Sequence, residues 1–176
     1  AMGLPFVQAP SEGEAMCAAM CKDGTVDFAS SQDYDSLLFG APRLLRNISV
    51  SGKRKLPKQE VWVEVKPEII ELDKALKELG INREQLITIG LLIGTDYNDG
   101  VMGVGPKTAL KLVKEHKTLD KVLENVKWTD EIDAHEVFDW FMNPPTNEKP
   151  KIVWGKPQPD KIMKFMSDDH DFSRER

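Results

Sequence analysis

The chain lacks any run of eighteen apolar residues, holds 7 % aromatics, and has two cysteines among 176 residues. The first absence leaves no stretch able to span a membrane as a helix. The opening residues Ala1-Met2-Gly3-Leu4-Pro5 carry no basic region followed by an apolar stretch, so they do not read as a secretory leader. Cys17 and Cys21 lie four apart on an expected helix, and His116, His135 and His170 are scattered. No third soft ligand accompanies the cysteines, which read as small, half-buried core residues in a reducing compartment. What remains is 40 % hydrophobic and 30 % charged, ordinary for a soluble globular chain whose length suggests one domain.

The net charge of −5 conceals a strong asymmetry. Residues 1–35 contain six acids and one lysine, and the remainder is neutral. Between Asp35 and Glu60 stand six basic residues and no acid: Arg43, Arg46, Lys53, Arg54, Lys55 and Lys58. A nucleic-acid binder usually carries excess positive charge. An acidic cluster beside a basic surface suggests instead that metal ions mediate contact with a polyanion.

Periodicity places the elements. Leu4–Gln8 reads as a short strand, and Ser11 as the cap of a helix reaching Lys22, slimmed by Ala15, Ala18 and Ala19. Val26–Ser30 is a second strand, followed by a helical turn from Ser36 to Phe39. Arg43–Val50 is expected to be extended. Glu60–Val65 alternates strictly, as a half-buried strand does, and the basic loop Ser51–Gln59 between them should protrude. From Pro67 the spacing of Ile69, Ile70, Leu72, Leu76 and Leu79 predicts a helix ended by Gly80. Asn82 with Gln85 in capping-box register opens another, which stops at Gly94. A glycine-rich hairpin, a helix over Pro106–His116, a short helix over Leu119–Asn125, and helices over Glu131–Met142 and Asp160–Met166 complete the chain. The expected fold class is α/β: a partial parallel or mixed sheet with flanking helices, followed by a helical subdomain. Residues 1–66 form the first part and 67–176 the second.

Five acids stand at positions where chemistry gathers. Glu12 and Glu14 follow a strand at a helix start, Asp33 and Asp35 lie beyond the end of another strand, and Asp96 sits where an apolar helix meets a glycine turn. Clustered carboxylates repel unless a cation lies among them, and all-oxygen donors favour Mg²⁺ or Mn²⁺ over Zn²⁺. Two such ions would suit phosphodiester hydrolysis. Each acid also has a plainer reading: Glu14 in a capping box with Ser11, Glu12 favoured by the helix dipole, Asp33 and Asp35 as turn formers, Asp96 as a cap.

Gly103-Val104-Gly105-Pro106-Lys107-Thr108 leads into a helix. Its glycines permit amides to point outward, and Pro106 suits the first helical position. Outward amides at a helix N-terminus make a phosphate seat, and Lys107, Lys111 and Lys114 extend positive charge down that helix. An ordinary helix–helix connection is the alternative.

Taken together, four ordered segments resemble the flap endonuclease family, in its archaeal branch: Gln8-Ala9-Pro10-Ser11-Glu12-Gly13-Glu14-Ala15, Ser31-Gln32-Asp33-Tyr34-Asp35 through Gly40, Gly94-Thr95-Asp96-Tyr97-Asn98, and Gly103-Val104-Gly105-Pro106-Lys107. Lys53-Arg54-Lys55-Leu56-Pro57 and His170-Asp171-Phe172-Ser173 extend the likeness over nearly the whole chain. The resemblance implies that Glu12, Glu14, Asp33, Asp35 and Asp96 are catalytic ligands for two Mg²⁺ ions, for which Mn²⁺ substitutes. It implies that the hairpin is a helix–two-turn–helix element gripping duplex phosphates through Gly103, Gly105, Lys107, Thr108, Lys111 and Lys114. Backbone carbonyls of Gly100, Val101 and Val104 would hold K⁺. The implied activity is hydrolysis of a phosphodiester at a single-strand/double-strand junction of branched or flapped DNA during replication and repair.

The same resemblance implies an incomplete nuclease domain. The family begins with a further segment that supplies a strand, two more ligand aspartates and a helical arch, and it ends with a sliding-clamp motif. A chain without them is expected to be weakly active or inactive alone, and to self-associate or re-pair with its other half. The implied setting is intracellular, cytoplasmic in a prokaryote or archaeon and nuclear in a eukaryote. A non-catalytic module that grips duplex phosphates is the rival reading. A phosphatase-like use of Asp33 and Asp35 lacks the downstream Thr, Ser and Lys signals in order.

Overall fold

The computed structural model describes residues 1–48, 52–55, 60, 62–146 and 149–173. The chain divides into two compact units, one made of Ala9–Asn147 and the other of Ala1–Gln8 with Glu148–Arg176. This line differs from a division at residue 66, because strands and helices of the larger unit share their cores. No helix among the described residues is long and apolar enough to cross a membrane.

In the larger unit, α1 (Gly13–Lys22) precedes the two-residue strand β1 (Ala29–Ser30), α2 (Asp35–Leu38) and β2 (Arg43–Arg46). A hairpin of β3 (Lys53–Lys55) and β4 (Trp62–Glu64) comes next, then β5 (Glu68–Glu71). Five helices finish the unit: α3 (Leu72–Leu79), α4 (Arg83–Ile93), α5 (Pro106–His116), α6 (Leu119–Leu123) and α7 (Ala134–Met142). The sheet is mixed, in the order β1-β2-β5, with β1 parallel to β2 and β5 antiparallel to it.

Several boundaries depart from expectation. Ile69 and Ile70 lie in β5, opposite Leu45 and Leu44, and not in a helix. The free backbone edge of β2 takes four residues as ladder partners, and α3 starts only at Leu72. Leu4–Gln8 is not a strand, and in that unit Gly3 accepts from the Gly155 amide at 2.8 Å. The end of the expected strand at Val50, Val61, and most of the loop Ser51–Gln59 lie outside the described residues, whereas Lys53–Lys55 pair with β4. The last helix runs Pro159–Met163 and widens to a π turn over Lys164–Asp168.

Local chemistry explains the elements that match. Asn82 accepts from the Gln85 amide at 2.9 Å while the Gln85 side chain accepts from the Asn82 amide at 3.1 Å, closing the capping box on α4. Gly80 ends α3 at φ 65°, in the left-handed region. α4 is buried along most of its length, with Ile87 and Leu91 in a first core with Ala15, Ala18, Phe39 and Phe141, and Leu92 in a second with Ala109, Val113 and Val122. Gly90 brings it so near α2 that a Cβ would meet Leu38 Cδ1 at 3.1 Å.

Two cations tie helix ends together. Arg83 donates to the carbonyls of Leu38 at 3.1 Å and Phe141 at 2.6 Å, at the C-terminal ends of α2 and α7. Lys22 donates to the Phe39 carbonyl at 2.8 Å. Both are half-buried, and burial lowers both pKa values. Helix C-termini present unpaired carbonyls and partial negative charge, so these contacts are favourable. Arg83→Met should lower the unfolding free energy by about 2 kcal/mol, the scale of charged hydrogen bonds, measured as a fall in urea midpoint.

His135 bridges two acids, Asp120 at 2.7 Å and Asp133, the N-cap of α7, at 3.1 Å. The Asp120 hydrogen bond above all raises its pKa over the ordinary 6.5. Its stabilising contribution is therefore complete below 6.5 and fades as pH rises through the higher folded value. Melting at pH 6 and pH 8 should show a loss in the wild type that His135→Asn flattens.

Candidate functional site

Glu12 is the N-cap residue of α1, yet its side chain makes no capping bond, and the helix starts too late for a Ser11 box. Glu14 instead accepts from the Ser31 hydroxyl, whose oxygen also accepts from the Asp33 amide at 3.1 Å. One serine thus fixes Glu14 against the loop that carries Asp33. Arg46 fixes the same loop from the other side, donating through Nε and Nη2 to the Gln32 carbonyl at 3.1 and 2.8 Å. Its guanidinium lies 4.0 Å from the centre of the Tyr34 ring and bonds the Tyr34 hydroxyl. Arg43 pairs with Asp27 at 3.8 Å and lies over Phe28. These two arginines are engaged with neighbouring protein groups.

Asp96 lies in the turn after α4. Thr95 and Asn98 bond each other through backbone and side chains, and buried Asn98 donates to the Leu91 carbonyl at 2.8 Å. The turn is thereby anchored to the helix it leaves. Asp33, Asp35 and Asp96 line one cleft of about 640 Å³, whose apolar wall includes Leu38, Leu86, Ile89 and Ile93.

Electrostatics join the five acids. Burial raises the Asp35 pKa first, and the negative charges of Glu14, Asp96, Asp33 and Glu12 add to it, pushing it up to about 6. Three separate chain segments therefore bring carboxylates within mutual electrostatic range. Among the described residues, no three His, Cys, Asp or Glu side chains close on a single point as a finished metal cage. The donor set fits a hard divalent cation in its chemistry: oxygen ligands, shared repulsion, and an open cleft beside them.

The hairpin is held at defined points. Gly100 has φ 83°, and a Cβ there would meet Gly94 N and Ile93 C at 2.6 Å. The Val101 amide donates to the Leu92 carbonyl at 2.8 Å, and Val101 and Val104 pack on the second core. Gly105 is the N-cap of α5 and offers no side chain to its first amides, with Pro106 in the first turn. The amide ends of Lys107 and Thr108 are the ones such a helix start leaves for a ligand. Lys107, Lys111 and Lys114 are exposed along α5.

A family model, the XPG I-region, matches residues 3–96. This chain belongs to the flap endonuclease family. It is similar to Flap endonuclease 1 of Hyperthermus butylicus, 53 % identical over 178 residues that take in 100 % of this chain and 51 % of the relative. Among solved structures, flap endonuclease-1 from Methanococcus jannaschii matches with a TM-score of 0.83 at 38 % identity, over 99 % of this chain and 50 % of that one. The catalytic core of Rad2 in complex with DNA substrate matches with a TM-score of 0.75 at 25 % identity, over 99 % and 61 %. The chain spans about half the length of the curated relatives it matches. Ser31, Arg46 and Asn98 hold these loops in place, a role that their spacing in sequence did not mark. Ser31 and Asn98 lay inside quoted motifs, but spacing assigns no partner across the fold.

Asp35→Asn should raise the melting temperature in EDTA at pH 7. For an acid with a raised pKa, stability grows as pH falls through about 6, so the gain should shrink toward pH 5. Gly100→Ala should destabilise by more than about 1 kcal/mol through its left-handed backbone and closed space, read from denaturant unfolding.

Proposed function

We propose that this chain carries the carboxylate centre and the duplex-gripping hairpin of a structure-specific 5′ nuclease. The reaction is hydrolysis of a phosphodiester at a single-strand/double-strand junction of branched DNA, in replication and repair. The observation that carries this reading is the convergence on Asp35 of charge from Glu12, Glu14, Asp33 and Asp96. Family membership supports it independently.

On this reading the five acids would hold two Mg²⁺ ions, with Mn²⁺ as substitute. Such ions, when bound, lower the pKa of water and offset charge on the leaving oxygen. The chain's own residues do the rest. Ser31 and Arg46 hold the Asp33 loop and Glu14 in place, so the ligands are oriented before DNA arrives. The cleft beside Asp33, Asp35 and Asp96 leaves room for the scissile phosphate.

Gly103, Gly105, Lys107, Thr108, Lys111 and Lys114 would take the backbone of the uncut duplex, and the carbonyls of Gly100, Val101 and Val104 a K⁺ ion bridging to a phosphate. Contacts of this kind read charge and spacing, not base sequence. Two free thiols, Cys17 and Cys21, suit a reducing intracellular setting.

The test is cleavage and binding of a 5′-flap duplex with Mg²⁺, using the chain alone and with the other half of a flap endonuclease in trans. Asp96→Ala should keep binding within about twofold and lose cleavage by roughly a hundredfold or more, as for a group acting in the transition state. A non-catalytic binding module would show no Mg²⁺-dependent cleavage in the wild type under either condition. Affinity should fall steeply with KCl, and Lys111→Ala should reduce the salt slope by about 1; a flat salt response would count against the hairpin's role.

A further inference from the structure

The turn after α4 is held from the helix side by the Asn98 side chain on the Leu91 carbonyl and the Val101 amide on the Leu92 carbonyl, both at 2.8 Å. Between these anchors stand Asp99 and Gly100. Their backbone presses on the helix end. A Cβ at Gly94 would meet the Asp99 carbonyl oxygen at 2.9 Å, and one at Gly100 the Gly94 nitrogen at 2.6 Å. A further anchor comes from a separate part of the chain: the Asp99 amide donates to Asp130 Oδ1 at 3.1 Å, across 31 positions.

The loop that carries Asp130, between α6 and α7, is itself held. Trp128 packs against the first core, and its Nε1 donates to the Ile132 carbonyl at 2.9 Å, bridging over Asp130. Asp133 then caps α7 by accepting from the His135 amide at 2.7 Å. Asp130 is half-buried, and its Oδ2 is buried with no hydrogen-bond partner among the described residues. A buried carboxylate oxygen without a partner carries a desolvation cost, so this acid is a poor stabiliser. What it does supply is a fixed acceptor for the amide that leads into the hairpin.

We propose that Asp130 is a positioning residue for DNA binding. Its carboxylate pins the Asp99–Gly100 backbone against α4 and so fixes the hairpin and the first turn of α5 relative to Asp96. The inference rests on the duplex-gripping reading of the hairpin and extends it to a residue in a separate loop. Charge and geometry act in opposite directions here. Removing an acid near a polyanion strengthens binding through electrostatics, whereas loosening the mount of phosphate-binding amides weakens it. The sign of the effect separates the two.

The test measures affinity for a 5′-flap duplex against KCl for the full chain as wild type, Asp130→Ala and Asp130→Asn, with amide hydrogen exchange on the free proteins. Asp130→Ala should weaken binding by roughly two- to tenfold, the scale of ordering one loosened segment on binding. Its salt slope should match the wild type, because Lys107, Lys111 and Lys114 remain. Asp130→Asn keeps an acceptor oxygen and loses the charge, so it should bind at least as tightly as the wild type. In Asp130→Ala the Asp99 amide should exchange roughly tenfold faster, as loss of one charged hydrogen bond allows, while the α4 amides keep their protection. Unchanged affinity in Asp130→Ala, tighter binding by both variants, or equal weakening by both overturns the Asp130 role. So does faster exchange spread equally through α4, the mark of general destabilisation. A wild type that binds no duplex overturns the hairpin reading and this inference with it.

Discussion

Like-charge repulsion around Asp35 is the constraint that the larger unit has to meet. A half-buried carboxylate with four others in electrostatic range is held there against its own preference, as its raised pKa records. Such an arrangement persists only when the surrounding fold over-determines it, since each acid would gain by turning to water. The supporting contacts are short and specific: Ser31 to Glu14 and the Asp33 amide, Arg46 to the Gln32 carbonyl, Asn98 to the Leu91 carbonyl. The acids come from three segments: Ser31 ties the first two together, and Asn98 ties the third to α4.

The rest of the unit supplies rigidity to those ties. α4 runs through two cores and is fixed at both ends, by the Asn82–Gln85 box at its start and by the turn through Thr95 and Asn98 at its finish. Its last turn carries both candidate regions, because Asp96 stands three residues beyond its end and the Val101 amide returns to the Leu92 carbonyl. A carboxylate centre and a glycine hairpin are thus mounted on one helix end. For the nuclease proposed above, which would hold a duplex while placing one phosphate, a shared rigid mount is a physical advantage, since a misplacement of 1 Å costs rate heavily.

Basic residues divide into two populations that net charge does not separate. Arg43, Arg46, Lys22 and Arg83 contact carbonyls, rings or acids of the protein itself, and their positive charge is spent on the fold. Lys107, Lys111 and Lys114 stand exposed along α5. The basic run after Asp35 looked in sequence like one surface, but its first two members are structural clamps.

Sequence alone determined the elements whose signals are local. Asn82 with Gln85, Gly80, Gly94 and Pro106 mark helix ends through backbone chemistry that needs no distant partner, and the structure places α4 and α5 where those residues put them. The ordered motifs also sufficed to indicate the family, because spacing among Glu12, Glu14, Asp33, Asp35 and Asp96 is a property of the chain. Only the tertiary structure decided that Ile69 and Ile70 belong to a strand, because the unfilled edge of β2 outweighs their helical spacing. It alone decided that Glu14 answers to Ser31 rather than Ser11, and that Arg83 reaches the Phe141 carbonyl, 58 positions later in the chain. Those pairings join segments far apart in sequence, and a carboxylate or hydroxyl carries no mark of its partner until packing brings the two together.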